Sequence, residues 1–217
     1  MKLFSFTSVG RALLLTAAVI AMLVGTAMAQ HMQKGTFTDS RDGQTYKTVV
    51  IYSQIWMAQN LNYKPKKGDA FCYDGKEANC KKYGRLYDWE TANTACPKGW
   101  KLPSKQDWGE LVTAIGYGMA DVKLKSRSGW IKDGGGDDTF GFSALPGGYI
   151  TTGSMTGGIC DGIGEMGGWW TATEGEFGHY YWDMRYNSRG VDENNEGLDL
   201  DDDAAGHSVR CIKGNVR

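Results

Sequence analysis

The chain has 217 residues, with 24 Lys and Arg against 25 Asp and Glu and 41% hydrophobic residues. That length suits one globular domain with a sizeable core, and the hydrophobic content argues against a disordered tail. A net charge of −1 excludes the overall basic excess used by nucleic-acid binders. The 31 glycines, about twice the usual share, predict with 8 Trp and 11 Tyr a loop-rich, aromatic domain.

Residues 1–29 carry Lys2 and Arg11 and no acid, then an apolar run from Ala12 to Val24, then Ala27-Met28-Ala29. This is the charge, core and small-x-small pattern of a secretory signal peptide, so the mature domain is expected to span 30–217. Without the signal it holds 22 basic and 25 acidic side chains, net −3. An uncleaved helix is the alternative, although Ala12–Ala29 falls just under a comfortable bilayer span. No cysteine near the cut offers a lipid anchor, and no later segment is long and apolar enough to cross a membrane. A secreted or cell-surface destination follows.

Thr36–Ile51 reads as a hairpin turning at Asp42-Gly43. Leu86–Ala95 reads as a short helix. A second helix starts at Ser104, with Asp107 completing the cap and Trp108, Leu111, Val112 and Ile115 at i, i+3, i+4 and i+7; Gly116 ends it. Glycines break up residues 116–168, and short strands fit Trp169–Thr173, Tyr180–Arg185 and Ser208–Lys213. The fold class is α+β, with helices early and strands late.

Cys72, Cys80, Cys96, Cys160 and Cys211 lie in a chain bound for a disulfide-permissive compartment. Two bridges and one spare thiol leave fifteen arrangements open. Loop lengths suggest Cys72–Cys80, clasping a polar turn at Asp74-Gly75, and Cys96–Cys211, a long closure worth about 4–5 kcal/mol in the chain-entropy model. Zinc is disfavoured, because there is no CxxC pair and histidine is scarce.

Charge is unevenly placed. Residues 30–105 hold 13 basic and 7 acidic side chains, whereas residues 161–203 hold 2 and 12. Two solvated faces that neutralise each other in the fold are one reading. A cation site, or a bipolar surface that stacks copies of the chain, is the other.

Six ordered blocks carry a resemblance: Gln54–Tyr63 (QIWMAQNLNY), Tyr83–Trp89 (YGRLYDW), Cys96–Trp108 (CPKGWKLPSKQDW), Gly141–Tyr149 (GFSALPGGY), Gly168–Glu174 (GWWTATE) and Ser208–Cys211 (SVRC). Together they resemble the Fibrobacter succinogenes major paralogous domain, a family of exported bacterial domains. The later half is similar to the C-type-lectin-like fold shared with formylglycine-generating enzymes. The resemblance implies a disulfide-stapled domain with a small twisted antiparallel sheet, two short helices and long glycine-rich loops. It also supports the pairing Cys72–Cys80 and Cys96–Cys211. It implies surface attachment and polysaccharide binding, and it supplies no catalytic residues.

The Glu-Pro-Asn and Trp-Asn-Asp motifs of calcium-dependent lectins are missing. The run Asp192–Asp203 has enough oxygens for Ca²⁺, with Asp199, Asp201 and Asp203 as candidate ligands, but lacks EF-hand spacing; a solvated acidic loop is the competing state. Glu174, Glu176 and Asp183 offer carboxylates for glycoside hydrolysis, yet no set of roles assembles around them. The expectation is therefore a non-catalytic adhesion or binding module for polysaccharide or a cell-surface glycan. Its platform would be Trp170, Tyr180, Trp182 and Tyr186, with Glu174, Asp183, Arg185 and Asn187 at the edges. On a strand from Tyr180, residues 180, 182, 184 and 186 share one face and 181, 183 and 185 the other, and only one face is expected in the core. The alternative is a self-assembling surface protein, with Cys160 available to link chains; a protein partner is a further expectation.

Overall fold

The computed structural model describes residues 33–151, 159–176, 178–188, 190–196 and 206–215. The predicted signal segment and Asp199, Asp201 and Asp203 lie outside them. Alternation of Thr, Tyr and Val produces the expected hairpin, with β1 (Lys34–Thr38) antiparallel to β2 (Thr45–Ile51). Asp39, fully buried at the turn, holds the Arg41 guanidinium through both carboxylate oxygens at 2.7–3.1 Å. β3 (Gln54–Met57) follows; β4 (Ala70–Phe71) and β5 (Leu86–Tyr87) pair with each other. β6 (Gly147–Ile150) and β7 (Cys160–Ile163) form a second hairpin, and β8 (Met166–Glu174), β9 (His179–Arg185) and β10 (Asp192–Glu196) a meander. The chain closes with β11 (His207–Ser208) and β12 (Ile212–Asn215).

These strands build a four-stranded sheet, β1-β2-β3-β12, and a larger one ordered β10-β9-β8-β11-β5-β4, with the β6–β7 hairpin attached to β8. The β8–β11 and β6–β8 contacts are parallel, so the expectation of a single small antiparallel sheet is corrected. The predicted Ser208–Lys213 strand is two strands in two sheets. Val209–Cys211 cross between them, with Leu61 and Met57 donating N–H groups to the carbonyls of Val209 and Cys211 at 2.8 and 3.0 Å.

Four α-helices occur among the described residues, not two: α1 (Glu77–Tyr83), α2 (Trp89–Ala95), α3 (Lys105–Ile115) and α4 (Ala120–Leu124). At seven and five residues, α1 and α4 are too short to show a helical apolar period. Leu86 and Tyr87 are strand, because the Asp88 carboxylate caps α2 by accepting the Thr91 N–H at 2.7 Å.

α3 forms where its sequence predicts. Ser104 Oγ accepts the Asp107 N–H at 3.1 Å, and Asp107 Oδ2 accepts the Ser104 N–H and the Lys101 ammonium, each at 2.8 Å. Burial pushes the Asp107 carboxyl up, but these bonds outweigh it and hold the group below its ordinary 3.8. Asp107→Ala is expected to cost about 1 kcal/mol at pH 7. A folded pKa below the unfolded one gives stability that is present above 3.8 and lost as pH falls through the folded value. Urea unfolding of both proteins should therefore converge at acid pH; a pH-independent gap would contradict the account.

The core is divided by β8, whose Met166–Thr171 are buried on both faces. Trp169 faces a cluster with Trp56, Trp108, Phe142, Trp182 and Met184, while Trp170 faces Tyr46, Met57, Tyr87, Leu102 and Val209. β9 is likewise covered on both sides at its centre, so the expectation of one core face and one open face is corrected.

A polar junction runs through this core. Asn60 Oδ1 accepts from Trp169 Nε1 at 2.8 Å and from Arg210 Nε and Nη2 at 3.0 and 2.7 Å. The Asn60 amide donates to the Tyr83 carbonyl at 2.8 Å and to Ser208 Oγ at 3.2 Å. Arg210 also donates to the Phe142 carbonyl and lies over the Phe142 ring, 4.3 Å from its centroid. Burial pulls its pKa down to about 9, which leaves it charged at neutral pH. Five of the six recognised sequence blocks meet here.

Both expected disulfides are present, Cys72–Cys80 and Cys96–Cys211, with Cα separations of 5.0 and 5.9 Å. Cys160 is free, and its sulfur accepts the Asp74 N–H at 3.2 Å.

Candidate functional site

The residues predicted as one platform separate into three places. Trp170 and Trp182 are 2% and 1% exposed. Trp170 donates its indole N–H to the Tyr87 carbonyl at 2.7 Å, and Trp182 stacks on Trp108 with centroids 6.2 Å apart. Both are core residues, because β8 and β9 are covered on both sides. Asp183 is buried beneath Arg185, whose Nη2 donates to Oδ2 at 3.1 Å; burial pushes this carboxyl up. It orients Arg185 and cannot edge a ligand. Tyr180 lies at the opposite end of β9, under the Lys105 ammonium at 4.2 Å, and Lys105 pairs with Glu193 at 2.7 Å. That pair joins the basic and acidic parts of the chain. Glu174 is exposed at the end of β8.

Arg185, Tyr186 and Asn187 do come together. They line a cleft of about 290 Å³ with Tyr149, Asp161, Gly162, Glu165 and Met166. Tyr149 and Tyr186 are half-buried, and Asp161, Glu165, Arg185 and Asn187 are exposed.

Local sequence chemistry builds each wall. Tyr149 on β6 stands opposite Asp161 on β7, and its hydroxyl donates to Asp161 Oδ2 at 3.4 Å. Gly148 (φ +69°) permits this approach: a Cβ there would meet the Asp161 carbonyl at 2.3 Å. Behind Tyr149 lies His207, 6.0 Å away between centroids, itself stacked on Tyr181 at 4.3 Å and edge-on to Trp170 at 4.6 Å. The back wall is thus continuous with the core.

The opposite wall is the turn after β9. Tyr186 N–H donates to the Glu165 carbonyl at 2.8 Å. Lys125, 2% exposed, donates beneath it to the carbonyls of Arg185 and Ser188 and to Asp121 Oδ2 at 3.2 Å. Gly134 packs against the same turn, where a Cβ would come within 2.6 Å of Tyr186 Cβ. Lys132 reaches the Tyr186 hydroxyl at 3.3 Å from outside.

Sequence reasoning missed Tyr149, Asp161 and Glu165. Tyr149 closes one of the recognised blocks, which is a signal of packing as much as of binding; the two acids carried no signal beyond their charge. A shallower groove of about 840 Å³ runs along α3 past Ser53, Gln106, Gly109 and Thr113 to Glu193, and none of the predicted platform residues lines it. Among the described residues, the one cluster of potential metal ligands is Cys72, Glu77 and Cys80, and its two sulfurs are joined in the disulfide.

The family model of the Fibrobacter succinogenes major domain matches residues 49–213. No curated protein and no solved structure matches the chain.

Proposed function

The chain belongs to the Fibrobacter succinogenes major domain family, and from that premise we propose that it is an exported, non-catalytic domain that binds glycan in the Tyr149–Tyr186 cleft. The observation that carries this reading is the lining itself. Two aromatic rings offer apolar surface to a sugar, two carboxylates accept from its hydroxyls, and Arg185 and Asn187 donate to them. Two cystines suit an oxidising compartment, in keeping with the signal-like N-terminus. No helix among the described residues is long and apolar enough to cross a membrane. The short strands, and β1 and β12 brought into one sheet so that the two ends of the domain meet, support a C-type-lectin-like fold.

Glycoside hydrolysis needs two carboxyls about 5–10 Å apart, one held in its acid form. Asp183 is a carboxyl that burial holds above its ordinary value, and it is sealed beneath Arg185, whereas Asp161 and Glu165 are exposed. This favours holding a sugar over cleaving it. The test is retention on xylan, cellulose and a glycan array, in Ca²⁺ and in EDTA. Retention that survives EDTA and is lost in Asn187→Ala is expected. Loss in EDTA would transfer the site to the acidic run that includes Asp199, Asp201 and Asp203. No retention anywhere would favour the self-assembling surface protein.

A further inference from the structure

Resting on the glycan reading, we propose that the cleft takes the terminal residue of a neutral sugar chain, and neither the flat face of an insoluble polysaccharide nor a uronate. Three observations point the same way. The first is size: about 290 Å³ is at the bottom of the roughly 300–1,000 Å³ range of ligand sites. It has room for about one ring, not for a run of them.

The second is the fate of the tryptophans. Binding a flat polysaccharide face needs a row of exposed rings in one plane. All eight tryptophans lie among the described residues: Trp56, Trp108, Trp169, Trp170 and Trp182 are at most 2% exposed and Trp130 is buried, while the half-buried Trp89 stacks on His179 and Trp100 packs on Phe37, both outside the cleft. The rings that reach the cleft belong to Tyr149, on β6, and Tyr186, in the turn after β9.

The third is charge. Asp161 and Glu165 are exposed lining residues, the lining cation Arg185 is already bonded to Asp183, and the Lys132 ammonium, outside the lining, donates to the Tyr186 hydroxyl at 3.3 Å. A uronate carboxylate entering here would face both acids well inside one screening length, about 8–10 Å. A neutral ring presents adjacent hydroxyls that donate to those acids and accept from Asn187 and Arg185.

Calorimetric titration of the oxidised protein tests this with methyl glycosides of glucose, galactose, mannose and xylose. The corresponding oligosaccharides from two to six residues and galacturonate oligomers complete the panel. For a sugar that binds, the affinity per chain end should change less than about threefold with length, and galacturonates should bind at least about tenfold more weakly. Glu165→Gln and Asn187→Ala, both at exposed positions, should each weaken binding about tenfold, the loss of roughly one good hydrogen bond, with melting unchanged. Affinity that climbs tenfold with chain length, or a preference for galacturonate, overturns the chain-end proposal and leaves the glycan reading standing. Failure of every oligosaccharide with retention on cellulose or xylan overturns the chain-end proposal alone, and failure with no retention on any of these surfaces overturns both.

Discussion

Asn60→Ala is expected to lower the unfolding free energy by about 3–5 kcal/mol, because it removes two hydrogen bonds to a buried cation, worth about 1.5–3 kcal/mol each, and one to a buried indole. One carbonyl oxygen accepts from the Trp169 indole and twice from the Arg210 guanidinium. Its removal leaves the Trp169 indole N–H without its acceptor and the buried Arg210 guanidinium with the Phe142 and Ser143 carbonyls alone. A domain of this size is stable by only about 5–15 kcal/mol, so the variant should unfold at far lower urea. Arg210→Met should cost less, since it removes the charge and leaves Asn60 bonded to Trp169. The double variant should then be less damaging than the two single losses added together, by more than about 1 kcal/mol. Additive losses would show that the junction is not a unit.

The second large effect is the Cys96–Cys211 bridge, which spans 115 residues. Replacing both cysteines by serine is expected to cost about 4–5 kcal/mol in the chain-entropy model, against about 2–3 kcal/mol for Cys72–Cys80, which spans 8. The long bridge ties the segment before α3 to the crossing residues Val209–Cys211. Its loss should therefore also weaken the pairing of this last segment with β3, detectable as faster amide exchange at Met57, whose N–H donates to the Cys211 carbonyl. Equal costs for the two bridges would contradict this ranking.

The junction also explains why a family pattern was legible without an activity. Asn60, Tyr83, Phe142, Trp169 and Arg210 are far apart in the chain and sit in separate blocks, yet they form one buried arrangement. Such groups leave little room for substitution, because each buried donor must keep its acceptor. The blocks therefore identify the scaffold, and the cleft residues Asp161, Glu165 and Asn187 fall outside all of them.

Local chemistry in the sequence was sufficient for the first hairpin, for α3 with its reciprocal Ser104–Asp107 cap, and for the core positions Trp108, Leu111, Val112 and Ile115. It also led to both disulfides. These features depend on neighbours a few residues away, on side-chain period, or on loop length. Only the tertiary structure decided that Trp170, Trp182 and Asp183 are interior, because burial of both faces of β8 and β9 depends on distant elements packing over them. It likewise decided that Arg185, Tyr186 and Asn187 face Tyr149 and Asp161. That meeting requires the β6–β7 hairpin, the turn after β9 and the buried Lys125 to converge, and no spacing along the chain encodes it.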